Sequence, residues 1–271
     1  MKNRNSIAIV LVLSFFTLIL SAPQSSYAKK VTKTVHKTFS LNRGGMVSLS
    51  NVNGGVEITS WNKESVDVTA EIEVKYGNRR RAEDFLKKVE VLFDHDKDNL
   101  DIEVDYPRRH NSNFLSWLFG EKNPGVTVRF TIKVPREVDL DLHTVNGKLR
   151  VEDVAGDIKA GTTNGSIKMY NIKGRVSCTT VNGGIKVFLS ESVEFDEMSF
   201  RTVNGGIQLS IPNDFAADVE ISTVNGGINS ELPLKISGKF NRRSIRGELN
   251  GGGGRLILKT VNGGITIDVS G

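Results

Sequence analysis

The sequence contains few of the residues from which catalytic and metal sites are usually built. Cysteine occurs once, at Cys178, which excludes an internal disulfide bond. The histidines share no metal-ligand spacing and lie far apart, at His36, His95, His110 and His143. There is no Gly-x-Ser-x-Gly elbow, phosphate-binding loop or dinucleotide fingerprint, because the glycine pairs lie at strand turns and never open a helix. The sequence therefore predicts a protein that is not an enzyme and uses no cofactor or metal.

A strong excess of one charge is also missing. The formal net charge is +5 over 271 residues, which is too mild to indicate a nucleic-acid partner. Lysines are nevertheless concentrated near one end of the chain, at Lys29, Lys30, Lys33 and Lys37. We expect residues 29–39 to form a loose basic leader.

Residues 1–28 have the pattern of an export signal. Lys2 and Arg4 precede an apolar stretch from Ile7 to Leu20, and Ser26 and Ala28 are small residues at the positions that a signal peptidase reads. An uncleaved membrane anchor is the alternative, but the apolar stretch is short for a membrane span. We therefore expect the protein to be exported to the periplasm, the cell surface or the medium.

The dominant feature of the chain is a turn that occurs seven times, usually as Thr-Val-Asn-Gly. Apolar residues alternate with polar ones on both sides of each turn, which predicts two strands that each bury one face. We attribute the Asn and the Gly to a turn that needs positive φ angles. The asparagines of the seven turns are Asn53, Asn146, Asn164, Asn182, Asn204, Asn225 and Asn262.

The spacing of the turns favours an all-β fold, a parallel β-helix-like solenoid of Thr-Val-Asn-Gly repeats. From Asn146 to Asn225 the turns recur every 18 to 22 residues, and a regular period is typical of solenoids. Stacked coils would place the seven asparagines in a ladder of hydrogen bonds from coil to coil. An antiparallel meander remains the alternative, because Asn-Gly between alternating runs is also a strong hairpin signal.

The pattern changes in two places before residue 136. Residues Arg80 to Val89 have the period of a short amphipathic helix, which we expect to cap or flank the open N-terminal end of the core. We expect residues 40–135 to form an N-terminal β region that contains this helix and an aromatic loop. Residues 136–271 would hold the solenoid repeats, and residues 40–271 would form one continuous domain.

The aromatic loop, residues 108–123, is the candidate contact with a partner. It is either a plug folded onto the end of the solenoid or a contact for a membrane surface or partner protein, with basic flanks that would meet anionic head groups. The candidate contact residues are Arg108, Arg109, Phe114, Leu115, Trp117, Leu118 and Phe119.

A polysaccharide-cleaving enzyme is the weakest of the functional hypotheses. Some β-helices cleave polysaccharides with carboxylates on an outer face. Five outward acidic residues lie close in sequence here, although a solvated strand face needs such charges anyway: Asp139, Asp141, Glu152, Asp153 and Asp157.

The chain resembles a known family, the putative-adhesin β-strand-repeat family of exported bacterial proteins. The resemblance rests on the run from Phe130 to Arg136, on Leu140 to Gly147 and the Thr-x-Asn-Gly units after it, and on a Gly-rich stretch before the last turn. It covers roughly residues 40–271. It implies an exported β-repeat protein with a tentative adhesin label, and it brings no catalytic residue with it.

Two functions follow as expectations. The first is a non-catalytic binding or adhesion module whose long surface contacts an envelope polymer. The second is a structural or regulatory envelope protein that contacts a membrane surface or another envelope protein through residues 108–123.

Overall fold

The computed structural model describes residues 29–107, 125–231, 235–236 and 243–269. Within these ranges the chain is almost entirely β, with a single helix, α1 (Arg79–Leu86). The strands are β1 (Lys29–Ser40), β2 (Met46–Ser50), β3 (Val56–Trp61), β4 (Ser65–Tyr76), β5 (Glu90–His95), β6 (Asn99–Asp105), β7 (Gly125–Pro135), β8 (Asp139–Thr144), β9 (Leu149–Glu152), β10 (Ile158–Asn164), β11 (Ile167–Ile172), β12 (Val176–Asn182), β13 (Ile185–Leu189), β14 (Glu197–Arg201), β15 (Ile207–Ile211), β16 (Ala217–Asn225), β17 (Ile228–Ser230), β18 (Lys235–Ile236), β19 (Ser244–Leu249), β20 (Gly254–Asn262) and β21 (Ile265–Val269).

The strands form two long sheets. Sheet A has the order β1-β4-β7-β3-β9-β11-β13-β15-β21-β17, and sheet B has the order β18-β19-β16-β20-β14-β12-β10-β8-β2-β6-β5. Pairing is parallel throughout the centre of both sheets and antiparallel only near their ends. The predicted all-β class with parallel strands is confirmed, and the central strands do not form an antiparallel meander.

The core lies between the sheets and is built from like residues in register. In sheet A, Ile167 pairs with Leu149 on one side and with Ile185 on the other, and all three are buried. Each strand of one sheet and the next strand of the other form a coil, joined at an Asn-Gly corner. The inward apolar positions therefore stack into continuous rows, which keep the two sheets together by burying apolar surface.

Cys178 belongs to one of these inward rows. It pairs in register with Ala160 and Phe200, and it is completely buried. Burial raises the pKa of the Cys178 thiol above its ordinary value, because the thiolate would lose its solvation. This cysteine therefore serves as a small core residue.

The coils do not stack in the order of the sequence at either end. The last coil, β20 and β21, lies between β14 and β16 in sheet B and between β15 and β17 in sheet A. The first coil, β2 and β3, likewise lies between β6 and β8 in one sheet and between β7 and β9 in the other. The expectation that successive coils stack on one another holds only for the central coils, since pairing in a sheet needs no proximity in sequence.

The N-terminal end of the stack is closed by antiparallel strands and by α1. The segment expected to be a loose basic leader is instead β1, which pairs with β4 along its whole length. The rings of Phe39 on β1 and Phe93 on β5 lie 5.1 Å apart, so the edges of the two sheets meet there. The helix contacts β1 and β4 and buries Ala82 in the core. It thus flanks the end of sheet A.

Candidate functional site

The seven repeated asparagines lie side by side along one corner of the stack. The side-chain amide of every one except Asn53, which only accepts, donates to the side-chain oxygen of a neighbour, at donor–acceptor distances of 2.7 to 2.8 Å. This ladder follows the stacking order of the coils, so its sequence in space is Asn53, Asn146, Asn164, Asn182, Asn204, Asn262 and Asn225. It ties every coil to the next at its exposed corner.

The corner needs glycine for close approach between coils, and the expected positive φ is present only at Gly54, in the first of the seven corners. Asn182 and Gly183 are not among the residues with positive φ. A Cβ atom on Gly183 would lie 1.9 Å from the carbonyl oxygen of Gly165 in the neighbouring coil. That same oxygen accepts a hydrogen bond from the Thr180 hydroxyl at 3.0 Å. The turn sequence is therefore set by contacts between coils.

The outer faces of the two sheets carry different charge patterns. Beside sheet B, cations pair with carboxylates that lie 18 residues earlier, in the preceding coil: Lys159 Nζ donates to Asp141 at 3.4 Å, and Arg175 Nε donates to Asp157 at 2.9 Å. The hydrogen bond from Arg175 holds the pKa of Asp157 below its ordinary value. In these coils, opposite charges therefore lie beside each other on the sheet B side.

The sheet A face places like charges side by side. Lys168 on β11 pairs in register with Arg150 on β9 and with Lys186 on β13. Among the described residues, neither Lys168 nor Lys186 has a carboxylate within 4.0 Å, whereas Arg150 contacts Glu152 on its own strand. We name Arg150, Lys168 and Lys186 the basic row. Neighbouring like charges on a sheet repel each other, so this row is unfavourable unless an anion lies against it.

Two aromatic rings run beside the basic row. Tyr170 and Phe188 stack with ring centroids 5.1 Å apart and planes inclined by 16°. The guanidinium carbon of Arg150 lies 4.7 Å from the Tyr170 centroid, and Lys186 Nζ lies 4.9 Å from the Phe188 centroid. These cation–π contacts hold two cations of the row close to the sheet while leaving their outer sides accessible. The basic row and the two rings form the candidate binding face.

The other candidate contacts lie elsewhere or outside the described residues. The aromatic loop of residues 108–123, with all seven of its candidate contact residues, falls outside the described ranges. The five carboxylates considered for an enzyme are spread over both faces and the opposite corner. Four of them accept hydrogen bonds from neighbouring coils: Asp139 Oδ1 from the Asp157 amide, Asp141 from Lys159, Asp153 from Asn171, and Asp157 from Arg175. They do not form a pair that faces a cleft.

One hollow of about 220 Å³ lies near the N-terminal end of the stack. It is lined by residues of β2 and β6 and by Tyr106, whose hydroxyl donates to Asn51 Oδ1 at 3.0 Å. Burial raises the pKa of Tyr106 to about 12, so the phenol remains protonated and acts as a structural donor. Tyr106 is therefore not an activated base of this hollow.

Metal binding and membrane crossing find no support in the part of the chain that the structure describes. No three His, Cys, Asp or Glu side chains there come close enough to hold a metal ion. Over the same ranges, no helix is both long and apolar enough to cross a membrane.

The sequence analysis missed the basic row, although a signal for it was present. Each of its residues stands four positions after a turn asparagine, at Asn146, Asn164 and Asn182. The same position holds Glu57 in the first repeat, a cation in each of the next three repeats, and Gln208 in the fifth. Once the coils are taken to stack, a cation at the same repeat position in three adjacent coils predicts a line of positive charge.

Comparison with solved structures gives matches of low sequence identity. A "putative cell adhesion protein" from Clostridium sporogenes is 15% identical, with a TM-score of 0.47 over 89% of this chain and 100% of its own. A "putative adhesin" from Bacteroides fragilis is 10% identical, with a TM-score of 0.38 over 88% of this chain and 97% of its own. A "putative lipid binding protein" from Parabacteroides distasonis is 12% identical, with a TM-score of 0.27 over the same shares.

No curated protein matches the sequence significantly. A family model does match residues 138–268, which include β8 to β21 and six of the seven asparagine corners. The expected resemblance to a β-repeat family of unknown function is thereby confirmed. Residues 138–268 match the family model of the Toastrack DUF4097 domain.

Proposed function

We propose that this protein is a non-catalytic, exported module of the cell envelope that binds an extended polymer on the outer face of sheet A. The module is a parallel β-helix-like solenoid of Thr-Val-Asn-Gly repeats over residues 40–271, and residues 1–28 direct its export. The polymer lies against the basic row and the stacked rings of Tyr170 and Phe188. Holding such a polymer would let the protein act in adhesion or anchor it within the envelope.

The observation that carries this proposal is the position of Lys168. It is exposed, it lies between Arg150 and Lys186 on neighbouring strands, and it has no carboxylate partner among the described residues. Parallel strands are about 4.8 Å apart, so the three charges lie close enough to repel. The opposite face of the same coil avoids this arrangement, because there Lys159 pairs with Asp141. A flat, regular surface of this kind suits an extended ligand.

A membrane surface or a partner protein is the second candidate, and it would be contacted through residues 108–123. Its support is the sequence of that loop, in which basic residues flank the apolar run from Phe114 to Phe119. The loop joins β6 to β7, and β7 is separated from β9 by one strand in sheet A. Separate variants can therefore test the two surfaces.

Co-sedimentation of the purified protein with cell-wall polymer and with anionic lipid vesicles tests both candidates. The double variant Lys168→Gln/Lys186→Gln removes two cations of the basic row. The matched control is Lys159→Gln, which changes a lysine of the same coil on the opposite face. We expect the double variant to lose about tenfold or more in polymer affinity and the control to lose little, since about 1.4 kcal/mol corresponds to a factor of ten.

Deletion of residues 108–123 completes the experiment. If polymer binding survives the deletion and depends on the basic row, the first proposal stands. Binding to vesicles that disappears with the deletion would instead support the second candidate. If the double variant binds polymer as tightly as the unaltered protein, sheet A is not the binding face.

A further inference from the structure

We infer that the ligand of the basic row is a polyanion that lies across the strands, parallel to the stacking axis, with one carboxylate or phosphate about every 5 Å. This inference rests on the proposed function and specifies the ligand and its orientation. Its basis is the geometry and charge of the row and the contacts of its two neighbouring rings.

The orientation follows from the register of the strands. Arg150, Lys168 and Lys186 occupy equivalent positions on β9, β11 and β13, so the line through them crosses the strands. Neighbouring strands are about 4.8 Å apart, which makes the row about 10 Å long. A polymer that ran along one strand would meet a single cation of the row. A polymer that runs across the strands meets all three.

The negative charge of the ligand is inferred from the lack of carboxylates beside the two lysines of the basic row. Within the described residues, Lys168 and Lys186 have no carboxylate within 4.0 Å, and the one acidic contact of the row is Glu152 with Arg150. Repulsion among three adjacent cations is relieved by an anionic group placed between or above them. An anionic polymer whose charges have the spacing of the strands can neutralise all of them together.

The length of the anionic stretch is limited by the neighbours of the row. At one end Glu57 pairs in register with Arg150 and would repel a further anion. At the other end Gln208 pairs with Lys186, and its amide donates to Asp268 at 2.7 Å. The row therefore accommodates about three anionic groups at the strand spacing, and any further part of the polymer continues towards Gln208.

The two aromatic rings limit the chemical classes of polymer backbone that fit this face. Tyr170 and Phe188 stand beside the row, and their contacts with Arg150 and Lys186 hold those cations in place before a ligand arrives. Preorganised side chains lose less conformational entropy on binding. The ring edges also offer an apolar wall to the C–H groups of a sugar or polyol chain. The class that fits is a uronate polysaccharide or a polyol-phosphate polymer.

The test compares an anionic polymer with its uncharged ester and with an anionic polymer of a different backbone. The probes are polygalacturonate, its fully methyl-esterified form, and poly(glycerol phosphate), and affinity is measured by titration calorimetry at several salt concentrations. We expect an anionic probe to bind and the ester to bind at least tenfold more weakly. For three neutralised charges, the slope of log affinity against log salt should be about −2, by analogy with flexible polyanions. The tighter of the two anionic probes identifies the anionic group.

Variants and oligomer length then test the row itself. Lys168→Gln should reduce the magnitude of the salt slope by about 0.7, whereas Lys159→Gln on the opposite face should leave it unchanged. Affinity for oligogalacturonates should rise up to about three or four units and then level off, because the row offers three cations at the strand spacing. A melting curve of each variant confirms that these exposed substitutions leave the fold intact.

The outcomes separate this inference from the proposed function. Equal binding of polygalacturonate and its ester, with a dependence on Tyr170 or Phe188, would overturn the polyanion and keep the polymer-binding face. Equal salt slopes for Lys168→Gln and the unaltered protein would also overturn the inference. If no polymer binds, including cell-wall polymer, the proposed function and the inference both fail.

Discussion

Replacing Gly183 by alanine tests whether close approach between coils determines the repeated corner. A Cβ atom at this position would lie 1.9 Å from the carbonyl oxygen of Gly165, where ordinary contacts begin at 3.4 Å. Both atoms belong to the backbone or are bonded to it, so no side chain can rotate away. The matched control is Gly184→Ala one residue later, whose Cβ atom would lie 3.3 Å from the oxygen of Gly206. Neither glycine has a positive φ.

The magnitude follows from the bonds that the displaced corner would lose. To accept the new methyl group, the two coils must separate by about 1.5 Å, which takes a hydrogen bond beyond its usual range. Three bonds join the coils there: Gly165 N to Asn182 O at 3.0 Å, Thr180 Oγ1 to Gly165 O at 3.0 Å, and Asn182 Nδ2 to Asn164 Oδ1 at 2.8 Å. Each of these bonds contributes a net stabilisation of about 1 kcal/mol, so Gly183→Ala should lower the free energy of unfolding by about 3 kcal/mol.

The control should behave differently, although the chemical change is the same. In Gly184→Ala, the neighbouring atoms need to move by only a few tenths of an ångström. The alanine also restricts the unfolded chain, and this effect alone stabilises the folded protein by about 0.4–1 kcal/mol. We therefore expect its free energy of unfolding to stay within about 1 kcal/mol of the unaltered protein. Urea denaturation followed by circular dichroism measures both variants. Equal midpoints for the two would refute the argument that coil contact selects the first glycine of each pair.

The remaining predictions concern the ladder, one buried carboxylate and the order of the coils. Asn182→Ala should lower the free energy of unfolding by about 1–2 kcal/mol, because it removes one donated and one accepted hydrogen bond; an unchanged urea midpoint would count against the ladder. Burial alone would raise the pKa of Glu73, but hydrogen bonds from Lys30, Lys75 and Arg129 outweigh it and lower the pKa to about 2. The stability from this lowered pKa is therefore fully present above the unfolded value of 4.5 and is lost as the pH falls towards 2. In Glu73→Gln, the free energy of unfolding should fall by about 2 kcal/mol less between neutral and acidic pH than in the unaltered protein. An equal fall in both proteins would contradict the lowered pKa of Glu73. Removal of residues 254–271 should also abolish amide-exchange protection in β16 and β17, because these strands join the stack through β20 and β21, while residues 139–189 keep theirs. Protected amides in β16 would argue against the inserted coil.

The repeat predicted much of the fold because its signal is local. Alternation on both sides of each turn marks the buried face, and a ladder between coils requires the same residue at the same repeat position. A positive φ is nevertheless the wrong reason for the glycines at six of the seven corners. A short turn suggests a positive φ to anyone who reads it alone, whereas Gly183 is needed because of the oxygen of Gly165 in another coil.

The candidate site was less accessible to sequence reasoning. Arg150, Lys168 and Lys186 are ordinary surface residues when read one at a time, and only the stacking of β9, β11 and β13 makes them neighbours. Lys159 looks the same in the sequence, yet Asp141 lies beside it and neutralises it. The two faces differ in the residue that lies 18 positions before the lysine, which is Asp141 for Lys159 and Arg150 for Lys168. These residues become neighbours only because the strands pair in a parallel register.

The sequence by itself determined the strands beside the repeated turns, their buried faces and the repeat, since these follow from periods of two and about twenty residues along the chain, and its motifs carried the family resemblance. The tertiary structure decided the order of the coils at both ends, the closure of the N-terminal end by β1, and the line of positive charge on sheet A. These features depend on which strands become neighbours. Hydrogen bonding between sheet edges makes that choice without regard to distance along the chain.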